Sequence, residues 1–194
     1  MKKLIIIPVL LLSVILSAQD KVKVACIGNS ITFGASLSNP AKDSYPSVLG
    51  QMLGKGYEVR NFGISGRTML SNGDLPYVSE NAYLQALKFE PDIVVIKLGT
   101  NDSKPKNRIY LDEFIEDATA MADAFAALSS DPRILLCLPA TVYNVKDGIS
   151  DSVITARIIP AIREVGSRKG FEVIDVHSAT AGMPGNFPDK IHPN

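Results

Sequence analysis

Apolar and polar positions along this chain follow two periods. Short apolar runs recur at residues 22–27, 57–62, 92–98, 133–138 and 171–176. The third and fourth runs are nearly continuous in apolar residues, as strands covered on both faces require. The second and fifth alternate more, which predicts edge strands. Between the runs the spacing changes to that of helices. Tyr45 to Leu53 places Val48, Leu49, Met52 and Leu53 on one side. Residues 111–128 carry a long stripe of Phe114, Ile115, Ala118, Met121, Ala122, Phe125 and Leu128, the signature of a helix with one buried face. Residues 152–167 repeat the pattern through Val153, Ile154, Ile158, Ile159, Ile162 and Val165, with Pro160 inside it. A proline there removes a backbone donor and predicts a kink or a divided helix. A shorter helix is predicted near residues 81–87.

Strands that alternate with helices predict βαβ units and a parallel sheet. The expected fold is a three-layer α/β/α sandwich on five parallel strands, one domain over residues 19–194. Ligands of such sheets bind beyond the carboxyl ends of the strands. That rule selects Gly28-Asn29-Ser30 after the first run, Gly63 after the second, Gly99-Thr100-Asn101-Asp102 after the third and Pro139-Ala140-Thr141 after the fourth.

Composition narrows the class. The 194 residues are 46% hydrophobic and 21% charged, with 20 basic and 20 acidic side chains. That composition suits a globular chain, and the lack of basic excess argues against a nucleic-acid partner. Residues 1–18 stand apart: Met1-Lys2-Lys3, an apolar stretch to Leu16, then small Ser17-Ala18. This reads as a secretory leader too short to span a bilayer. It predicts an exported, periplasmic or secreted protein with no stable membrane insertion after cleavage. Without Lys2 and Lys3, 18 basic side chains face 20 acidic ones. Cys26 and Cys137 sit inside two different apolar runs and are expected to be buried free thiols.

Candidate chemistry lies at the strand ends. Ser30 is either a turn or cap serine or a nucleophile. The glycines of Asn61-Phe62-Gly63-Ile64-Ser65-Gly66 permit close approach to a ligand, and the Gly63 N–H can serve a developing oxyanion. Asn101 carries an amide with two donor hydrogens, and Asp102 suits a capping role. A serine needs a base, and the chain has two histidines, His177 and His192. His192 follows Asp189 by three residues, so one loop can present base and orienting carboxylate together. His177, two residues beyond Asp175, is the competitor. No cluster has metal-ligand spacing, and neither metal nor cofactor is expected.

Taken together and in order, these blocks resemble the SGNH hydrolases, the GDSL-type esterases and lipases. The matching residues are Gly28-Asn29-Ser30-Ile31-Thr32, Gly63 within 61–66, Gly99-Thr100-Asn101-Asp102, and Asp189 to His192. The resemblance covers nearly the whole chain after residue 18 and implies a flavodoxin-like sheet. It implies Ser30 as nucleophile, His192 as base, Asp189 as its orienter, and an oxyanion hole of Ser30, Gly63 and Asn101. Asn29 stands where the family motif has Asp. The family pattern continues past His-Pro-Asn into a final helix. The resemblance thus implies a C-terminally truncated domain with that helix missing, an uncovered sheet face, and Asp189 and His192 on a loose tail. The implied reaction is hydrolysis of short-chain, O-acetyl esters on a small-molecule or polysaccharide carbohydrate. Polar loops at 35–44, 68–80 and 140–151 offer Tyr77 and Tyr143 as platforms for a sugar. The alternatives are a lysophospholipase or aryl esterase, and an inactive fragment or binding domain.

Overall fold

The computed structural model of the protein describes residues 20–143 and 148–194. The leader predicted over residues 1–18 lies outside them. Five strands form one sheet: Val22–Gly28 (β1), Tyr57–Gly63 (β2), Ile93–Lys97 (β3), Arg133–Cys137 (β4) and Glu172–Ile174 (β5). All neighbours run parallel, in the order β2-β1-β3-β4-β5. The two alternating runs are therefore the two edges, as their pattern predicted. The direction of strand order reverses between β1 and β3, and a crevice for ligand opens at such a reversal.

Helices occupy the intervals. They are Ser30–Phe33 (α1), Pro40–Asp43 (α2), Tyr45–Leu53 (α3), Asn81–Lys88 (α4), Phe114–Ala126 (α5), Asp151–Val153 (α6), Ile159–Lys169 (α7) and Val176–Thr180 (α8). The long stripe at 111–128 is split in kind: Arg108–Glu113 is a tighter 3-10 turn that leads into α5. Pro160 does divide its helix. A wide π-turn, Ile154–Ile158, precedes it, and Pro160 lies in the first turn of α7. A first-turn N–H has no acceptor within its helix, so the missing donor costs least there.

Strand side chains alternate between two layers. Ala25, Ile27, Val94, Ile96, Ile134 and Leu136 face the larger core, with Phe114, Met121 and Phe125 of α5 and Ile162 and Val165 of α7. Val24, Cys26, Val95 and Cys137 face the other layer, against Tyr45 and Leu49 of α3. Cys26 and Cys137 are separated by β3, about 10 Å at ordinary strand spacing, too far for a disulfide. Both are buried and free, and burial pushes their thiols up to about 12 and about 11.

Two expectations about loops are corrected. The 68–80 segment is not a polar surface loop: Met69, Leu70 and Tyr77 are buried in the main core. The closing residues are not a loose tail either. Phe187 and Ile191 are 1% and 2% exposed. The Tyr143 N–H donates to the Lys190 carbonyl at 2.9 Å, and the Asn194 N–H to the Asn186 carbonyl at 2.8 Å. Two buried apolar anchors and these backbone bonds seat the segment on the loop after β4.

Candidate active site

Ser30 stands at the carboxyl end of β1, as the first residue of α1. The cap of that helix is Asn29, whose side-chain oxygen accepts from the Ile31 N–H at 3.1 Å. An amide does here what a carboxylate would do, so the Asn29 departure leaves the turn intact. It also removes the capping reading of Ser30. A first-turn N–H has no acceptor within its own helix, so α1 does not use the Ser30 N–H.

The closing loop brings Asp189 and His192 to the same crevice as Ser30. Lys190 adopts a left-handed φ of 73°. That turn lets the N–H groups of Ile191 and His192 both donate to Asp189 Oδ1, at 3.0 and 2.7 Å. The other carboxylate oxygen, Oδ2, lies 2.6 Å from His192 Nδ1. Burial acts to raise the Asp189 carboxyl, but the His192 N–H, the His192 ring and the Ile191 N–H together hold it well below the usual range. An ionised carboxylate only accepts, so Nδ1 carries the proton and Nε2 presents its lone pair. Nε2 is 2.7 Å from Ser30 Oγ. Carboxylate, imidazole and hydroxyl thus form one continuous hydrogen-bonded line across 162 residues of sequence.

His177 does not compete for this place. Asp175, its expected partner, instead caps α8, accepting from the Ser178 N–H at 2.8 Å, and pairs with Arg163. The His177 Nε2 lies 3.2 Å from Asp151 Oδ1, which also accepts from the Val142 N–H of the loop after β4.

The oxyanion side needs one correction. The Gly63 N–H is already given to Asn61 Oδ1 at 2.9 Å. Gly63 also faces the nucleophile helix: a Cβ there would lie 2.3 Å from the Phe33 nitrogen. Its glycine permits the close approach of β2 to α1 and leaves no donor free for an oxyanion. Three residues on, Gly66 has φ +83°, a conformation that glycine adopts without strain. The adjoining Arg67 carbonyl accepts from Asn101 Nδ2 at 3.0 Å, so the turn at Gly66 lies against Asn101. Asn101 is nearly fully buried and keeps a second Nδ2 hydrogen.

Several positioning residues carried no signal in the sequence. Asn61 donates to the Thr32 carbonyl at 2.7 Å while its oxygen holds Gly63, which clamps β2 to α1. Asn107 donates to the Asn101 carbonyl at 2.9 Å and to Asp74 Oδ1 at 2.8 Å. Arg67 pairs with Glu80 and donates to the Ser65 carbonyl, bracing the Gly66 turn. Asp102 is not a helix cap. Its Oδ1 accepts from the Leu70 N–H at 2.8 Å, and burial pushes its carboxyl up to about 6. Their long-range partners, Thr32 for Asn61, Asp74 for Asn107 and Leu70 for Asp102, lie 29 to 33 positions away and are brought near by the fold.

The aromatic expectations are corrected in part. Tyr77 is fully buried and donates to the Phe62 carbonyl at 2.6 Å, so it cannot meet a sugar. Tyr143 is half-buried against Phe187, and its hydroxyl is engaged with the Thr180 carbonyl and the Met183 N–H. Among the described residues, no group of three or more His, Cys, Asp or Glu could hold a metal ion. Among them, no helix is long and apolar enough to cross a membrane.

A doubly wound parallel sheet with a carboxylate–imidazole–hydroxyl line at its switch point defines the class of α/β protein to which the chain belongs. Within that class the chain belongs to the GDSL-like lipase/acylhydrolase family, whose pattern matches residues 26–194. It is 44% identical over 194 aligned positions to an acetylxylan esterase of Xylanibacter ruminicola, an alignment covering 91% of this chain. The chain spans 40% of the length of that relative. The fold is shared with an aryl esterase of M. smegmatis, at TM-score 0.68 and 20% identity over 89% of this chain and 90% of that one. It is also shared with a carbohydrate acetylesterase from Sinorhizobium meliloti, at TM-score 0.66 and 19% identity over 80% and 84%.

Proposed function

We propose that this protein is an exported serine esterase that removes short acyl groups, above all O-acetyl, from carbohydrate, with acetylated xylan as the substrate class. The observation that carries this reading is the line from Asp189 through His192 to Ser30, with spacings of 2.6 and 2.7 Å. A relative named acetylxylan esterase supports the choice of substrate. The leader pattern at residues 1–18 fits a polymer met outside the cell.

The chemistry runs in two displacements. Ser30 Oγ attacks the acyl carbon as its proton passes to His192 Nε2, and the carbonyl electron pair moves to oxygen. Asp189 stabilises the imidazolium and holds its tautomer. The oxyanion accepts from the Ser30 N–H, the Gly66 N–H and the second Nδ2 hydrogen of Asn101. One such donor lowers the barrier by about 3 kcal/mol. Collapse expels the sugar alkoxide, which takes the proton from Nε2. Water then attacks the acyl-serine with the same base, the acid departs, and Ser30 recovers its proton.

Acetate release from acetylated xylan by the full-length protein tests the reading, with Ser30→Ala beside the wild type. The wild type should release acetate from the xylan and the variant essentially none. Equal rates in the two proteins would remove Ser30 from the mechanism, and preference for a lysophospholipid over the xylan would overturn the substrate. Gly66 has its own test. Phosphonylation of Ser30 should shift the Gly66 amide resonance strongly and that of Gly63 little, and the reverse would restore Gly63.

A further inference from the structure

An open groove of about 530 Å³ runs beside α1 and past the end of β2. It lies within the size range of small-ligand sites, roughly 300–1,000 Å³. Phe33 from α1, Ser38 and Asn39 from the next loop, Ser47 from α3, and Asn61 and Gly63 from the end of β2 form its walls. No charged residue lines it.

The groove adjoins the helix that carries Ser30, and its walls have unspent capacity. Phe33 is three positions beyond Ser30 on the same helix, and residues at that spacing share a helix face. Among the described residues Phe33 is the only largely exposed aromatic side chain, at 48%. Tyr77 and Tyr143, the other aromatics near the crevice, are taken up by the protein itself. The polar wall has spare capacity as well. Asn39 precedes α2 at its cap position, yet its side chain makes no capping hydrogen bond, so its amide is available to a ligand.

The lining selects the occupant. A phosphate headgroup or a carboxylated sugar would meet no counter-charge on these walls, so its charge would gain no pairing there. A neutral sugar ring presents an apolar C–H face and a rim of hydroxyls, which matches an exposed phenyl ring beside amide and hydroxyl groups. We propose that this groove binds the uncharged sugar ring that bears the ester, its face on Phe33 and its hydroxyls toward Asn39. The proposal rests on the esterase reading above and names which residues select the alcohol half of the substrate.

The test compares two substrates in the full-length protein, acetylated xylotriose and p-nitrophenyl acetate. An aromatic contact of this kind corresponds to a factor of about ten. Phe33→Ala should lower the ratio of the two kcat/KM values about tenfold, through KM for the sugar ester. Phe33→Trp should keep the ratio near wild type, and Asn39→Ala should lower it by a factor of about three. Ile109→Ala, at a residue 73% exposed elsewhere, serves as the control. Titration of xylotriose into Ser30→Ala protein, with and without Phe33→Ala, reads the groove without turnover. A ratio unchanged within about twofold, or xylotriose binding indifferent to Phe33, overturns the proposal. Failure of the wild type to release acetate from any sugar ester defeats the esterase reading instead, and the xylotriose titration then decides the groove by itself.

Discussion

His192 and His177 each lie against an aspartate, the first 2.6 Å from Asp189 and the second 3.2 Å from Asp151. Both pairs are half-buried, and both aspartates also accept a backbone N–H. The difference lies in which ring nitrogen is spent. Asp189 engages Nδ1 and leaves Nε2 pointing outward at Ser30, whereas Asp151 takes Nε2 itself. Asp151 also accepts from the Val142 N–H at 2.8 Å, so the second pair ties the loop after β4 to α6 and α8. A carboxylate beside a histidine is thus a common structural tie. The esterase reading rests on the pair whose far nitrogen meets a hydroxyl at a strand end.

Substitutions can break this contrast, beginning with the largest effect. Ser30→Ala and His192→Ala should each lower kcat for ester hydrolysis by about 10⁴-fold or more, and the double variant should lose little further, because the groups act as a unit. A double variant with additive losses would mean that they act independently. Asp189→Asn should cost about 10³- to 10⁴-fold in kcat by allowing the wrong tautomer. His177 and Asp151 variants measured on the same substrate should show nothing comparable.

Asn101→Ala should lower kcat by about 10²- to 10³-fold with KM nearly constant, since its donor acts on charge that develops in the transition state. A rise in KM alone would make Asn101 a binding residue.

Acidity separates the carboxylates further. The folded Asp189 carboxyl lies well below its ordinary value of 3.8. Its contribution to stability is therefore present above that value and is lost as pH falls toward the folded one. Asp102 behaves in the opposite sense. Burial raises it from 3.8 to about 6, so the folded state holds its proton longer and stability declines as pH rises between those values. Asp102→Asn keeps an acceptor for the Leu70 N–H and removes the buried charge. Urea unfolding at pH 8 should find it more stable by about 1–3 kcal/mol, with the gap closing near pH 4. No gap at pH 8 would mean that the carboxylate is better solvated than its burial implies. The smallest effect belongs to the second pair. His177→Ala should leave kcat within about twofold and lower stability by about 1 kcal/mol, the worth of one hydrogen bond. A large loss of kcat would give His177 a part in the reaction.

Much of the architecture was legible in the residues. Short apolar runs placed all five strands to within one or two residues, and the alternation of the second and fifth, against the continuity of the third and fourth, marked the two edges. Strand ends and short spacings singled out Ser30, Asn101, Asp189 and His192, and the fold joins three of them, Asp189, His192 and Ser30, in one hydrogen-bonded line. The site was less legible where partners lie far apart in sequence. Gly63 and Gly66 look equivalent in the string, and the Asn61 bond to the Gly63 N–H is what distinguishes them. Tyr77 looks like a loop aromatic, yet the 68–80 segment folds inward because Met69, Leu70 and Tyr77 fill the space over β2 and α5.

The sequence by itself determined the order of strands and helices, the doubly wound class and the residues able to serve as nucleophile, base and orienting carboxylate. These follow from local periodicity and from turn chemistry within a few residues, which a linear string records. Tertiary structure decided which histidine nitrogen faces a hydroxyl and which aromatic ring stays open on the helix that carries Ser30. For the two histidines the deciding partners are 26 and 162 positions away, and for Tyr77 and Tyr143 they are 15 and 37. Packing alone brings such partners together.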